Sequence, residues 1–157
     1  MNPFVVLSVD DSDDDNLLLQ QAGRRSHATF KLEIVTDGQM AINYLSGVEG
    51  YENRQRFPLP DLLLLDLKMP RKSGFEVLDW LRQQSQFKTL PVAVFSSSQN
   101  EADLQKAYEK GTTWFLMKPV NFEDLIHFVS VINQWKISRD PTVLTEFPSY
   151  RSAPARS

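Results

Sequence analysis

The feature that most constrains the fold is a run of four consecutive leucines, Leu62–Leu65, flanked by turn-forming residues. The run is too short for a helix of ordinary length, and its unbroken apolar character indicates a strand buried on both faces, as in a parallel sheet. Asp66 follows the run and would stand at the edge of the sheet where open α/β folds bind their ligands. Alternatively, Asp66 only caps the turn that begins at Met69 and Pro70, and other parts of the chain must decide between the two.

Four further segments have the character of strands, and three of them lead into residues that can take part in chemistry. They span residues 4–9, 30–36, 90–95 and 114–117. The first ends in Asp10 and Asp11, the third leads into Ser96, and the fourth is followed by Lys118. In the second segment apolar and polar residues alternate, which predicts an edge strand with one face nearer solvent.

Helical patterns alternate with these strands. The predicted helices cover approximately residues 12–23, 40–45, 74–81, 99–110 and 121–136. Five alternations of strand and helix predict an α/β protein with a doubly wound, five-stranded parallel sheet and five helices. Right-handed crossovers place the carboxyl ends of all five strands on one edge of the sheet. That edge would gather the side chains of Asp10, Asp11, Asp66, Ser96 and Lys118.

Two stretches show no clear helix or strand pattern. The connection from Ser46 to Pro60 is rich in Gly, Pro, Asn and charged residues, and it is long enough to be functional or mobile. After Arg139 the chain is rich in Ser, Pro and Arg. We therefore expect a folded domain over residues 1–139 and a flexible C-terminal tail over residues 140–157.

Composition excludes several classes of protein. A length of 157 residues suits one domain. The formal net charge of −3 gives no basic surface for nucleic acid, so a role at DNA would need a second protein. Without cysteine the chain has neither a disulfide framework nor a thiolate metal site. The N-terminus lacks the basic start of a signal peptide, and no apolar run approaches the roughly 18 residues of a membrane span, so we expect a cytoplasmic protein.

Acidic residues also fill the first turn of the first predicted helix. Ser12 is placed to cap this helix, and Asp13–Asp15 follow it. The helix dipole favours negative charge there, so these three acids are assigned a structural role only. The alternating acids from position 11 to position 15 also suggest a calcium loop, but Asn16 occupies the position that such a loop requires to be glycine.

The side chains predicted at the sheet edge are suited to phosphoryl chemistry. Three carboxylates brought together repel one another and raise at least one pKa unless a cation lies among them. Oxygen ligands without His or Cys suit Mg²⁺. A carboxylate beside this cation, with a lysine and a hydroxyl nearby, is arranged to accept a phosphoryl group. Alone, Lys118 would be read as a surface lysine and Ser96 as a capping serine, but their joint position favours the functional reading.

Read in order, these residues resemble a known family over about residues 4–137. The matching features are Asp10-Asp11 after a strand, Asp66-Leu67-Lys68-Met69-Pro70 with Gly74, Phe95-Ser96-Ser97, and Lys118-Pro119. Together they are similar to the receiver domain of two-component response regulators, whose fold is flavodoxin-like. The resemblance implies that Asp66 is the phosphoacceptor. It also implies that Mg²⁺ is bound by Asp10, Asp11, Asp66 and the backbone carbonyl of Lys68, and that Ser96 and Lys118 hold the phosphoryl oxygens.

The resemblance also implies partners and a mode of signalling. A histidine kinase would phosphorylate Asp66, and the domain would catalyse its own phosphoryl transfer and dephosphorylation without being a turnover enzyme. Ser96 and Phe115 would form a switch in which Phe115 turns inward and the face of the fourth helix, fifth strand and fifth helix changes. The Lys118–Pro119 peptide bond would be cis. The connection 46–60, the lack of an output domain and the C-terminal segment with Trp135 more narrowly resemble stand-alone regulators of cyanobacterial phytochrome-type histidine kinases.

Two other functions fit parts of this pattern. Phosphatases of the haloacid-dehalogenase type also use an aspartate at a strand end, but they need a second aspartate two residues later, where this chain has Lys68. A receiver-like module that acts by protein contact without taking phosphate is the main alternative. The sequence names neither the kinase nor the downstream target.

The last predicted helix has an apolar surface wider than one sheet contact needs. Beyond the expected core stripe, Phe128, Val131 and Trp135 continue the apolar arc. These residues are either buried against the fourth helix or the tail, or they form a surface for a second copy of the chain or another partner.

Overall fold

The computed structural model describes residues 3–140 and 142–155. Its centre is a sheet in the order β2-β1-β3-β4-β5-β6, in which β1 to β5 run parallel and β6 is antiparallel. The strands are β1 (Val5–Val9), β2 (Lys31–Val35), β3 (Leu62–Leu65), β4 (Val92–Ser96), β5 (Trp114–Met117) and β6 (Tyr150–Arg151). The helices are α1 (Asp13–Arg25), α2 (Gly38–Ser46), α3 (Gly74–Gln83), α4 (Glu101–Glu109) and α5 (Phe122–Ser138), with short 3₁₀ turns at Ser85–Phe87 and Leu144–Glu146.

The predicted parallel sheet with five helices is confirmed, and the sheet carries one strand more than predicted. Each α-helix starts directly after a side chain that accepts a hydrogen bond from an amide of the first turn. These capping residues are Ser12, Asp37, Ser73, Asn100 and Asn121. Because the first amides of a helix have no partner within it, each cap contributes about 1 kcal/mol and fixes where the preceding loop ends. Within the described chain, no helix combines the length and apolar character needed to cross a membrane.

The four leucines of β3 lie at the centre of the sheet and are buried, as predicted. Leu63 and Leu65 pack in the cluster formed with α2, α3 and α4, whereas Leu62 and Leu64 face the cluster formed with α1 and α5. Burial of each leucine contributes roughly 2 kcal/mol. This packing on both faces holds β3, and with it the backbone of Asp66, in a fixed place.

The long connection after α2 is packed against that helix. Gly47 ends α2 in the left-handed conformation, which glycine adopts without steric cost. Tyr51 and Phe57 then form an aromatic cluster with Tyr44 of α2, with ring centroids 5.0 to 5.9 Å apart. Arg54 donates hydrogen bonds to the carbonyls of Tyr44, Leu45 and Phe57. These contacts give the connection a structural role in covering one end of α2.

The segment after α5 folds back onto the domain, so the prediction of a flexible tail is wrong for residues 142–151. β6 pairs with β5, and Leu144 and Phe147 are buried against α5. The hydroxyl of Tyr108 in α4 donates to the carbonyl of Arg151. The Ser, Pro and Arg content of the segment is typical of a flexible tail, but its apolar residues Leu144 and Phe147 pack against the domain and hold the segment in place. The tail residues 141, 156 and 157 lie outside the described part of the chain.

The same fold-back corrects the proposed interface on α5. Phe128, Val131 and Trp135 are all buried within the chain. Phe147 lies against Phe128 with ring centroids 5.4 Å apart, and Phe4 meets Trp135 edge-on at 5.8 Å. The tail and the N-terminal segment therefore cover the apolar arc, and these three residues belong to the core. Of the two alternatives, the structure shows burial that includes the tail, and these three residues are not available as a partner surface.

The fold-back can be tested by shortening one anchor. Phe147→Ala should lower the free energy of unfolding by about 3 kcal/mol, because it removes a buried ring and leaves a cavity against Phe128. The measurement is urea denaturation followed by circular dichroism. Glu146→Ala, at an exposed neighbouring position, should change stability by less than about 0.5 kcal/mol. Equal stability of the two variants would mean that the tail does not pack in solution.

Candidate functional site

The polar side chains identified in the sequence lie where neighbouring parallel strands end. Backbone hydrogen bonds continue past the strands and hold these ends together. The amide of Asp66 donates to the carbonyl of Val9 at 3.0 Å, and the amide of Lys118 donates to the carbonyl of Ser96 at 2.9 Å. The structure thus places Asp66 beside the end of β1 and Lys118 beside the end of β4.

Three carboxylates form a cluster at this edge. One oxygen from each of Asp10, Asp11 and Asp66 lies within 4.8 Å of the others. The side chains of Asp10 and Asp66 are only 7% and 12% exposed, whereas Asp11 is exposed. An all-oxygen ligand set that is open on one side fits Mg²⁺, which retains several waters when a protein binds it.

The position of Asp10 is fixed by the start of α1. One carboxylate oxygen of Asp10 accepts a hydrogen bond from the amide of Ser12 at 3.0 Å. Its backbone carbonyl accepts one from the side-chain amide of Asn16 at 2.9 Å, and Asn16 is buried. The first turn of α1 therefore determines the direction in which Asp10 presents its second carboxylate oxygen.

Lys118 reaches into this cluster from β5 and contacts three carboxylates. Its Nζ lies 2.5 Å from Oδ2 of Asp10, 2.8 Å from Oδ2 of Asp15 and 3.5 Å from Oδ2 of Asp66. Burial on its own lowers the pKa of Lys118, but the hydrogen bonds to Asp10 and Asp15 and the charge of Asp66 outweigh it, so the pKa is raised. Lys118 is therefore a cation at neutral pH.

The electrostatic environment of Asp66 has opposing components. Burial raises the pKa of Asp66 and is the largest cause; the positive charge of Lys118 lowers it, and the negative charge of Asp10 raises it again. The amide of Leu67, at 2.8 Å, and the hydroxyl of Ser96 donate hydrogen bonds that lower it. The net pKa is above the usual aspartate value. A bound divalent cation would favour the ionised, nucleophilic form.

Ser96 connects the cluster to α4. Its hydroxyl is buried, donates to Asp66 and accepts a hydrogen bond from the amide of Ser98 at 3.2 Å. The hydroxyl of Ser98 donates to Asp103 of α4 at 2.7 Å, and Lys68 lies 3.6 Å from the same carboxylate. A short series of polar contacts thus runs from Asp66 to the first turn of α4. The side chain of Lys68 is exposed, and the proposed role of its carbonyl as a metal ligand stays a prediction.

The structure explains why residue 74, in the segment after Asp66, is a glycine. A Cβ at position 74 would lie 2.3 Å from the carbonyl oxygen of Asp66 and 2.8 Å from the Cα of Leu67, both of which are backbone atoms. The amide of Gly74 also donates to the carbonyl of Leu67 at 2.8 Å. Only glycine allows α3 to begin this close to the end of β3, so Gly74 shapes the loop that carries Lys68.

Two expectations about this region are corrected by the structure. Phe115 was expected to turn inward after phosphorylation, but its ring is already buried among residues of the cluster that includes Leu104. An aromatic ring without a hydroxyl has no polar atom that would keep it at the surface. The Lys118–Pro119 bond was expected to be cis, but the described chain contains no cis peptide bond. Trans is the more stable form of an X–Pro bond.

Over residues 6–130 the chain matches the family model described as the response regulator receiver domain. The chain belongs to this family. Receiver domains act as phosphoacceptors and signalling modules rather than as turnover enzymes, and they bind Mg²⁺ at an acidic pocket.

Individual relatives include both signalling proteins and solved structures. The receiver domain is 38% identical to response regulator Rcp1 of Synechocystis over 85% of this chain and 88% of Rcp1. It is 34% identical to the probable methanogenesis regulatory protein FilR2 of Methanothrix harundinacea over 85% of this chain and 84% of that protein. The crystal structure of the phosphorylated cyanobacterial phytochrome response regulator RcpA has a TM-score of 0.78 and 32% identity, covering 88% of this chain and 96% of RcpA. The Mn²⁺-bound form of Rcp1 has a TM-score of 0.76 and 34% identity, covering 98% and 100%.

Reasoning from sequence missed two residues of this receiver domain's site. Asp15 contacts Lys118, and Asn16 holds the backbone of Asp10. The sequence placed Asp15 in the first turn of α1, shortly after the strand end that carries Asp10 and Asp11, and this closeness was the available signal.

The raised pKa of Asp66 predicts how the stability of the domain depends on pH. The pKa of Asp66 is raised in the folded protein, so ionising this side chain lowers the free energy of unfolding. Its contribution to stability is fully present below the ordinary pKa of 3.8 and is lost as the pH rises through the pKa of the folded protein. Asp66→Asn removes this loss, so in EDTA at pH 7 it should raise the melting temperature by about 2–4 °C. The gain should vanish below about pH 3.8.

The matched control is Asp14→Asn, which removes an exposed carboxylate of the same charge. It should lower the melting temperature slightly in EDTA, by about 1–2 °C, because the helix dipole favours an acid in the first turn of α1. Mg²⁺ at about 100 times its dissociation constant should stabilise the wild-type protein by about 2.7 kcal/mol and stabilise Asp66→Asn much less. An Asp66→Asn protein that melts below wild type in EDTA would contradict this account of the charge balance.

Proposed function

We propose that this receiver domain accepts a phosphoryl group on Asp66 from the phosphohistidine of a histidine kinase in a Mg²⁺-dependent reaction. One observation carries the proposal. The carboxylate of Asp66 lies at once within the cluster of metal-binding oxygens, 3.5 Å from the ammonium of Lys118 and in hydrogen-bond contact with the hydroxyl of Ser96. These are the three kinds of group that phosphoryl transfer to a carboxylate needs.

The transfer forms one bond and breaks one. An oxygen of Asp66 supplies the electron pair for a new O–P bond while the P–N bond to the kinase histidine breaks, and the imidazole keeps that electron pair and takes up a proton. In the later hydrolysis, water attacks phosphorus, the O–P bond breaks, its electron pair returns to the carboxylate, and inorganic phosphate leaves. Mg²⁺, held by Asp10, Asp11, Asp66 and the carbonyl of Lys68, would neutralise charge on the phosphoryl oxygens.

Two side chains of the domain would then hold the phosphoryl group. Lys118, a cation 3.5 Å from Asp66, would contact one phosphoryl oxygen. The hydroxyl of Ser96 would donate to another. Both groups lie in a largely buried position, where charge-assisted hydrogen bonds are stronger than at the surface.

Signalling would begin when Ser96 changes its hydrogen bonds. A phosphoryl group of charge near −2 would draw the hydroxyl of Ser96 toward it and away from the amide of Ser98. Because Ser98 holds Asp103 in the first turn of α4, the loop and this helix would shift together. The change would reach the face formed by α4, β5 and α5, part of which the segment 144–151 covers.

We also propose the kind of partners. The similarity to Rcp1 and RcpA supports a phytochrome-type histidine kinase as the phosphodonor. A histidine kinase draws on ATP, so the reaction would take place in the cytoplasm. The net charge of −3 favours a protein as the downstream target over nucleic acid.

Mass spectrometry of the intact protein tests the acceptor. Incubation with acetyl phosphate and Mg²⁺ should add one phosphoryl group to the wild-type protein, and EDTA should prevent this. Asp66→Asn should gain none, whereas Asp14→Asn should still be labelled. An unlabelled wild-type protein would favour the alternative of a module that acts by contact alone. Labelled Asp66→Asn would place the acceptor elsewhere.

The proposed signalling route makes a separate prediction. Ser96→Ala should still become phosphorylated, about tenfold more slowly, because one donor to the transition state is lost. It should also lose the phosphorylation-dependent change in amide hydrogen exchange over α4. Ser97→Ala is the matched control because Ser97 is exposed and adjacent. A full exchange response in the Ser96→Ala protein would show that α4 is reached by another route.

A further inference from the structure

Lys118 is held away from Asp66 by a residue that the phosphoryl reaction does not use directly. Its ammonium lies 2.5 Å from Asp10 and 2.8 Å from Asp15, but 3.5 Å from Asp66. An ammonium has three protons to donate, and its two shorter contacts are with Asp10, directly after β1, and Asp15, in the first turn of α1. In this arrangement Asp10 and Asp15 are closer partners of Lys118 than the proposed phosphoacceptor.

We propose that Asp15 is a positioning residue that retains Lys118 until a phosphoryl group arrives, and that phosphorylation exchanges the Lys118–Asp15 contact for a contact between Lys118 and a phosphoryl oxygen. This inference rests on the proposed function of Asp66. It adds a residue that sets how readily the site becomes phosphorylated.

The differing burial of the three carboxylates decides which contact is given up. The side chain of Asp15 is 44% exposed, compared with 7% for Asp10 and 12% for Asp66. When the ammonium moves, water can solvate Asp15, whereas a buried carboxylate that lost its partner would carry an uncompensated charge. Asp15 is therefore the partner that Lys118 leaves at the lowest cost.

The backbone of Asp15 is held in place, which keeps the contact specific. Its amide donates to the hydroxyl of the capping residue Ser12 at 3.2 Å. The next residue, Asn16, is buried and donates to the carbonyl of Asp10 at 2.9 Å. The carboxylate of Asp15 thus starts from a fixed point on α1. Asp14, on the same turn, is exposed and makes no side-chain hydrogen bond or ion pair within the described residues.

A contact present only before phosphorylation stabilises the unphosphorylated state. Removing it should therefore shift the balance toward the phosphorylated form. Because the ion pair is partly exposed, its effect is modest, and we expect Asp15→Asn to reach half-maximal phosphorylation at about one fifth of the acetyl phosphate concentration that wild type needs. Asp14→Asn carries the same change of net charge and should stay within about 1.5-fold of wild type.

Two further readouts separate a positioning role from a structural one. The Asp15→Glu variant keeps the carboxylate and should return the half-maximal concentration to within about twofold of wild type. Raising the ionic strength from about 0.05 M to about 0.5 M should shrink the difference between wild type and Asp15→Asn, because salt screens a partly exposed ion pair. The ¹⁵Nζ resonance of Lys118 should shift in Asp15→Asn and should not shift in Asp14→Asn.

The outcomes are distinct. If Asp15→Asn needs the same acetyl phosphate concentration as Asp14→Asn, or a higher one than wild type, the positioning role is refuted while Asp66 remains the acceptor. If wild type takes up no phosphoryl group under any of these conditions, the proposed function fails and this inference fails with it. An unchanged Lys118 resonance in Asp15→Asn would likewise overturn the inference, whatever the labelling shows.

Discussion

Everything at the carboxyl edge of the sheet depends on the charge balance around Lys118. Asp10, Asp15 and Asp66 share its single positive charge, and Asp11 adds another carboxylate to the cluster. Burial is the largest cause of the raised pKa of Asp66, and the negative charge of Asp10 raises it further, against the lowering effect of Lys118. The packing of β1 and β3, which are buried along their whole length, offsets the free-energy cost of holding these carboxylates close together. The site therefore stays negative enough to attract a divalent cation.

The sequence predicts best those features of the domain that depend on residues close together in the chain. Leu62–Leu65 and the other short apolar runs place the strands, and right-handed crossovers bring their ends together, so the groups around Asp66 follow from general rules. Asp15 was overlooked because a helix N-terminus is sufficient reason for an acid there, and only the structure shows its contact with Lys118. For Phe128 the sequence left burial and a partner surface both open, because Phe147, which packs against it, lies in a segment whose composition resembles a flexible tail.

The fold-back of residues 142–151 changes how a signal can leave the domain. β5 has β4 on one side, and β6 pairs with Phe115 and Leu116 on its other edge. Tyr108 ties α4 to this added strand because its hydroxyl donates a hydrogen bond to the carbonyl of Arg151. A shift of α4 would therefore act on β6 directly. The rearranged surface would include the tail as well as the helix.

The contact between Lys118 and Asp15 and the burial of Phe115 together indicate where this domain can change. Phe115 is already packed inside, so its ring has no outward-to-inward movement to contribute. In the proposed transition the groups that change partners are polar: Lys118 would exchange one carboxylate for a phosphoryl oxygen, and Ser96 would exchange its contact with the amide of Ser98 for one with the phosphoryl group. Both exchanges would start at polar contacts beside the strand ends. The resulting shift of α4 would then reach the hydrophobic cluster in which Leu104 of α4 and Phe115 of β5 both lie.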